Sequence, residues 1–373
     1  MENVVELPPF KPTIEATIED AVRDPAFSYE VEAGRVELEA LAKVAFAAQG
    51  CTDRRWGGCL RAAPSAGATY PLQLYVVALE VEGLEAGVYR YRSHSPRLHS
   101  LEPVALGRRW EGACSFVLLF EERAERTTSV YGERGYMYVR EEVGHAAQGA
   151  VLEASVLGLA ARVRRLERPL MGLRAIYCVE VGVRGRRASS RELSGGLLPP
   201  PLKPAMSLEE AILARRSIRR YKPIPLSLAE ISTVLAWSAA GAVRPYPQLP
   251  GGYRVECCVV AKEVEGLKAG VYRYEAQSHS LSLTLEGDLS RRLARACLGQ
   301  EWVEDAAANL VMYAPGANAS AEVEAGMMGQ CAYLAATSLK LGTVAVGAFY
   351  DDEVASLLRL GGRPLYVFPI GKP

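Results

Sequence analysis

Apolar residues recur at helical spacing in two well-separated places. Leu38, Leu41, Val44 and Ala45 make one stripe; Leu228, Ile231, Leu235 and Trp237 make the other. That spacing predicts two amphipathic helices. After each comes a loop rich in glycine and proline, then a β-rich run holding Gly87–Tyr91 or Gly270–Tyr274. Continuous apolar runs follow, Cys114–Phe120 and Ala308–Tyr313, and read as buried strands. Long apolar helices are expected at about 141–159 and 321–341, with closing strands at Tyr177–Gly182 and Tyr366–Gly371. The alternation of strands and helices within each half is an α+β pattern.

The two halves repeat. Gly-Val-Tyr-Arg-Tyr occurs at 87–91 and again at 270–274, and Val81–Leu84 recurs as Val264–Leu267, both 183 positions on. Gly144 and Gln148 match Gly326 and Gln330. A repeat this long is a duplicated domain rather than a solenoid unit. The expected division is a first domain at 1–190, a linker at 191–206 and a second domain at 207–373, because 189–201 has linker composition.

Composition narrows the function. The chain has 373 residues, with 43 Lys plus Arg against 43 Asp plus Glu. A formal net charge of zero argues against general binding to nucleic acid or anionic membranes. No apolar run is long enough to span a bilayer, and the N-terminus lacks the charged and apolar regions of a signal peptide. A soluble cytoplasmic protein is expected. Its eight cysteines form no C-x-x-C pair and it has four histidines, which argues against a zinc site. Cys51 and Cys59 are close enough in sequence for a disulfide; the other cysteines sit in apolar surroundings.

The halves differ where chemistry is expected. The second carries Arg215-Arg216-Ser217-Ile218-Arg219-Arg220-Tyr221 at the end of a helix that Ser207 and Glu210 would cap. Four arginines and a hydroxyl suit phosphate oxygens, though a solvated basic helix end fits the same stretch. The matching part of the first half, Ile18–Phe27, has no basic cluster. Conversely, the first half has Pro64-Ser65-Ala66-Gly67, whose small residues permit close approach to a planar ligand, where the second has Pro247–Pro250. The first half also carries the extra segment Ser129–Tyr138, and the second has Gly347-Ala348-Phe349 near its end. His145, at the start of the long helix, reads as a buried or capping residue.

Taken together, Arg-Arg-Ser-x-Arg, Pro-Ser-Ala-Gly-x-x-Tyr-Pro, Tyr-Gly-x-Arg-Gly-Tyr and Gly-Ala-Phe resemble the nitroreductase-like flavoprotein superfamily, in its SagB-type dehydrogenase branch. The resemblance covers nearly the whole chain. It implies two tandem nitroreductase-like domains, each a mixed, mainly antiparallel sheet flanked by helices, packed as an intramolecular pseudo-dimer. It also implies an FMN-dependent oxidoreductase with one FMN between the halves and NAD(P)H as a candidate electron donor. Arg215, Ser217 and Arg219 would take phosphate and ribityl oxygens, with Lys372 adding a phosphate contact. Pro64, Ser65, Ala66 and Gly67 would approach the isoalloxazine, and the backbone of Gly347 and Ala348 would face its reactive ring. Tyr131 and Arg134 are the candidate catalytic residues. The branch's azoline oxidases carry a lysine before that tyrosine; Val130 stands here, which speaks against an azoline substrate. The substrate would be a small molecule or a peptide, and the chain a monomer. A flavin-binding or partner-binding pseudoenzyme and a peptide-tailoring dehydrogenase subunit are the alternatives.

Overall fold

The computed structural model describes residues 4–55, 58–187, 197–239, 255–316 and 318–373. Pro247–Pro250 and positions 191–196 of the expected linker lie outside them.

Among the described residues, ten strands belong to the first half: β1 (Val5–Glu6), β2 (Tyr29–Glu32), β3 (Cys51–Arg55), β4 (Gly58–Arg61), β5 (Leu72–Ala78), β6 (Gly87–Ser95), β7 (Leu98–Leu106), β8 (Phe116–Glu122), β9 (Ala160–Arg165) and β10 (Ala175–Arg187). The second half contributes β11 (Glu256–Ala261), β12 (Gly270–Glu275), β13 (Ser280–Glu286), β14 (Ala308–Ala314), β15 (Gly342–Thr343) and β16 (Arg363–Gly371). The first sheet runs β1-β7-β6-β5-β8-β10-β2, with β9 also on β10. The second runs β13-β12-β11-β14-β16-β15. Its order repeats β7-β6-β5-β8-β10-β9, so the duplication seen in the sequence is a duplication of topology. The ladders within both sheets are antiparallel. Single parallel bridges, Val36 to Val81 and Leu226 to Val264, sit at matching places in the two halves.

The helices are α1 (Ile18–Arg23), α2 (Leu38–Gln49), α3 (Glu125–Tyr131), α4 (Arg134–Val156), α5 (Leu208–Ala214), α6 (Leu228–Ser238), α7 (Ser290–Ala296), α8 (Glu301–Asp305), α9 (Ala319–Ser338) and α10 (Asp351–Leu358). Thr17 and Asp20 form a capping box on α1, and Ser207 and Glu210 form the same box on α5. These boxes align the two domain starts. The long helix α4 begins seven residues before the expected position, because the Tyr-Gly-x-Arg-Gly-Tyr segment is itself helical. Gly132, at φ 59°, separates it into α3 and the first turn of α4.

The halves meet where α4 crosses α9. Nearly every residue of both helices is buried, as expected of helices at the centre of a large core. Gly144 and Gly326, equivalent in the repeat, lie against each other at the crossing. A Cβ at Gly144 would fall 2.0 Å from the Val323 carbonyl oxygen, and one at Gly326 would fall 2.0 Å from that of Glu141. Only glycine permits backbones this close. The N-terminal arm adds a second tie: the N–H groups of Thr13 and Ile14 donate to Glu209, which also pairs with Lys43 at 2.7 Å. Cys51 and Cys59 are disulfide-bonded across the β3–β4 hairpin, with Cα atoms 5.4 Å apart. No described helix is long and apolar enough to cross a membrane.

Candidate functional site

A cavity of about 170 Å3 lies between the halves. One wall is the turn after β4. Ser65 is extended, and residues 66–68 make a single tight turn with Gly67 at φ 57°. A Cβ on Gly67 would meet the Tyr131 hydroxyl at 2.5 Å, so the glycine seats that tyrosine over the turn. Ser65 Oγ accepts the Tyr70 N–H at 2.9 Å, which fixes the serine and leaves its own hydrogen to point elsewhere.

The opposite wall is the chain after β15. Gly347 lies under Tyr138, whose Cε1 would be 2.6 Å from an added Cβ. Arg134 does not line the cavity. It reaches across from the first half instead, donating from Nε to the Gly347 carbonyl at 2.7 Å, pairing with Asp351 at 2.7 Å and lying over the Phe349 ring. Gln300 Nε2 donates to the Ala348 carbonyl at 2.9 Å. The backbone of Gly347 and Ala348 is thus held from both sides.

The third wall comes from the arginine stretch and α9. Ser217 Oγ lies 3.0 Å from the Tyr333 hydroxyl, which accepts the Ala345 N–H at 2.8 Å. The four arginines do not form one compact cluster. Beyond α5 the chain becomes extended, with Arg215 at ψ 126°, so successive side chains diverge. Arg215 is buried and donates at 3.0 Å to the carbonyls of both Arg61 and Ala62, just before Pro64. Its Nη1 is buried with no hydrogen-bond partner among the described residues. Arg216 Nη1 donates to the carbonyls of Leu213 and Arg215, and the guanidinium faces Asp53. Arg219 lines the cavity, lies over the Trp302 ring, and has no carboxylate within 4 Å among the described residues. Lys372 lies off the cavity, ion-paired with Glu230 of α6.

Of the residues singled out from sequence, Pro64, Ser65, Ala66, Gly67, Tyr131, Ser217, Arg219, Gly347 and Ala348 line the cavity together. Arg134 and Arg215 support its walls, and Lys372 stands apart. Sequence reasoning missed Tyr138, Glu142, Gln300, Tyr333 and Tyr366, which also line it. The available signal was Glu141-Glu142 within an otherwise apolar helix, with Tyr138 one turn before Glu142 on the same face. Burial pushes the Glu142 carboxyl up to about 7, against the opposing pull of the Ser65 hydroxyl, the Arg61 charge and the Gln49 amide. Burial likewise raises Glu141, with the neighbouring Glu322 charge adding to it. His145 is fully buried beside Gln330, and burial takes it down to about 3, so it stays neutral.

The pseudo-symmetric position is built differently. Counting from the capping boxes, Pro25, Phe27 and Tyr29 stand where Arg215, Ser217 and Arg219 stand in the second half. The Ala26 N–H donates to Ser155 there, and Glu324, the counterpart of Glu142, accepts the Val255 N–H at 3.0 Å.

Two copies of one α+β domain, facing each other across a shared cavity, define a tandem pseudo-dimer in a single chain. The sequence profile of the Nitroreductase family matches residues 29–164 and 212–372, and the chain belongs to that family. A candidate nitroreductase of Methanocaldococcus jannaschii, MJ1384, is 34% identical over 182 residues, covering 45% of this chain and 91% of that protein. The trifolitoxin-processing protein TfxB of Rhizobium leguminosarum bv. trifolii is 34% identical over 113 residues, covering 26% of this chain and 30% of that protein. The crystal structure of a candidate nitroreductase from Anabaena variabilis superposes with a TM-score of 0.74, covering 90% of this chain and 88% of that one at 21% identity. At that identity the likeness shows the fold.

Proposed function

We propose that the chain is an FMN-dependent oxidoreductase of the SagB type that binds one FMN between its halves. The observation that carries this reading is the composite cavity, which needs Pro64–Gly67 from one half and Ser217, Arg219, Gly347 and Ala348 from the other.

The residues present fit the cofactor. Gly67 and Gly347 let the Tyr131 and Tyr138 side chains, rather than a Cβ, cover the turn and the opposite wall, so movement of a tyrosine uncovers backbone there. Among the described residues, Arg219 offers a guanidinium without a carboxylate neighbour, and the buried Nη1 of Arg215 lacks a partner. Both suit an anionic phosphate. The cavity volume is below the ~300–1,000 Å3 of ordinary ligand pockets. A flavin ring therefore requires the rim side chains, Tyr131 and the exposed Arg219, to swing outward. Arg215, Ser217 and Arg219 would hold phosphate and ribityl oxygens, and Pro64–Gly67 would lie against the isoalloxazine. Lys372 would add a phosphate contact only by leaving Glu230. When bound, FMN supplies hydride chemistry, with NAD(P)H as the candidate donor. The protein positions the ring, excludes water and, through Tyr131, presents a hydroxyl to the substrate. Arg134 serves the site indirectly by fixing the Gly347 carbonyl.

The division at 1–190, 191–206 and 207–373 belongs to this reading, as does a monomeric state, because one chain completes its own site. The match to a trifolitoxin-processing protein supports a second reading, a dehydrogenase subunit that tailors a peptide. Val130 in place of the branch's lysine tells against azoline oxidation. Anaerobic mixing of the FMN-loaded protein with NADH or NADPH tests the enzyme reading: bleaching of the flavin absorbance is expected. No bleaching with either nucleotide or with peptide donors would favour a protein that binds flavin without turnover.

A further inference from the structure

Resting on the flavin reading, we propose that Glu142 is the proton-transfer residue of this cavity. Its substrates are then molecules whose oxidation or reduction moves a proton on oxygen or nitrogen together with a hydride.

The argument begins with elimination among the lining groups. Glu142 is the one carboxylate among them. The other ionisable side chains there are Tyr131, Tyr138, Tyr333, Tyr366 and Arg219. Phenols ordinarily hold their protons to about pH 10. Burial raises Tyr138 further, to about 12, and raises Tyr366 well above its ordinary value. Arginine does not release its proton in proteins. Near neutrality these groups can donate hydrogen bonds, but none is suited to give up and take back a proton.

Glu142 is built for that exchange. Its residue is 3% exposed, yet it lines the cavity, and its Oε1 has no hydrogen-bond partner among the described residues. The groups facing it are fixed. Ser65 accepts the Tyr70 N–H at 2.9 Å, and its hydroxyl favours the charged form of the carboxyl. Gln49 is held by Arg61, whose Nη1 donates to its Oε1 at 2.6 Å, and its buried Nε2 has no hydrogen-bond partner among the described residues. The titratable and charged groups around the carboxyl are Arg61 at the end of β4, Tyr70, Tyr131 of α3, Tyr138 and Glu141 of α4, Arg219 after α5, Tyr333 of α9 and Tyr366 of β16. A carboxyl whose midpoint lies at about 7 is matched to general acid–base work at neutral pH.

The step balances as follows. In oxidation, a substrate C–H bond gives up its hydrogen with the electron pair to the oxidised flavin. The adjacent O–H or N–H passes its proton to the Glu142 carboxylate, and a C=O or C=N bond forms. In reduction of a quinone by the reduced flavin, the acceptor gains a hydride from the flavin and the proton from the Glu142 carboxyl, giving the hydroquinone. Transfer of a hydride from NADPH to the flavin requires no such proton from a substrate.

The experiment separates the two half-reactions in wild type and Glu142→Gln, which keeps the side chain's size. Flavin bleaching by NADPH should change little, and FMN should stay bound. Reoxidation by p-benzoquinone should slow about 10²-fold, the low end for an acid–base group, and lose its ionisation near pH 7. A second readout needs no flavin. In apoprotein carrying Glu122→Gln, which removes a second carboxyl near 7, the part of the protonated-carboxyl infrared band that titrates near 7 should vanish on Glu142→Gln, while the signal of other protonated carboxyls stays. Ser65→Ala should move that titration upward, because the hydroxyl favours the carboxylate. Equal slowing of both half-reactions, or an unchanged pH profile, overturns the proposal. So does an apoprotein without the titrating band. Wild type that takes up no FMN sinks the cofactor reading instead, and the infrared titration then judges Glu142 alone.

Discussion

Replacing Gly326 by alanine should loosen the contact that sets the spacing of the halves. The added Cβ would lie 2.0 Å from the Glu141 carbonyl oxygen, where ordinary contact begins at 3.4 Å. Relief requires α4 and α9 to separate by about 1.4 Å at the crossing, because the obstructing atoms are backbone rather than a side chain that could rotate. Overpacking of this kind costs ~1–3 kcal/mol, and the backbone obstruction places this site at the upper end. Alanine recovers about 1 kcal/mol through its better helix propensity. The net loss expected is about 2 kcal/mol, read as a lower urea midpoint at unchanged slope. The cavity walls ride on these helices, with Glu142 and Tyr138 on α4 and Tyr333 on α9. FMN affinity should therefore fall together with stability. Gly361→Ala is the control, since its Cβ would have nothing within 4 Å. A Gly326→Ala protein with wild-type stability and wild-type FMN affinity would refute the crossing as the element that sets the site.

Other perturbations act on single residues. Arg219→Ala should weaken FMN by about 10- to 100-fold in a fluorescence titration, the loss of one hydrogen bond to a charged group, and leave the urea midpoint unchanged. Val130→Lys changes a side chain that is 63% exposed, so FMN retention after gel filtration should equal wild type. Glu142 also links stability to pH. Its carboxyl is raised from 4.5 to about 7 in the fold, so its stabilising contribution is complete below 4.5 and disappears as pH climbs through 7. That shift is worth about 3 kcal/mol. The stability of Glu142→Gln relative to wild type should rise by about that amount between pH 4 and pH 8 in urea unfolding of the apoproteins; a gap that ignores pH would contradict the assignment.

The duplication was legible because repeated strands keep their turn and core residues, as Gly87–Tyr91 and Gly270–Tyr274 do. The turn at Pro64–Gly67 was legible because small residues mark a close approach. The arginine stretch was only half legible. Its composition suits an anion or a solvated helix end alike, and is silent on the extended backbone after α5 that sends Arg215 inward to two carbonyls and leaves Arg219 at the cavity. Lys372 misled for a similar reason: its proximity to Glu230 depends on the packing of α6 against the last strand. The tyrosines and Glu142 were obscured by helical periodicity. A polar residue inside an apolar helix can face a core, a partner helix or a cavity, and only the crossing of α4 with α9 decides which. The start of α4 was placed at about 141 because the apolar run begins there, whereas the helix already starts at Arg134, just after Gly132 at φ 59°.

Flavin content of the purified chain tests the composite site most directly. The protein would be reconstituted with FMN, freed of excess, denatured, and its released cofactor identified and counted against protein concentration. About one FMN per chain is expected, since Arg215, Ser217 and Arg219 occur in one half and Pro25, Phe27 and Tyr29 replace them in the other. Two per chain, or none, would contradict it.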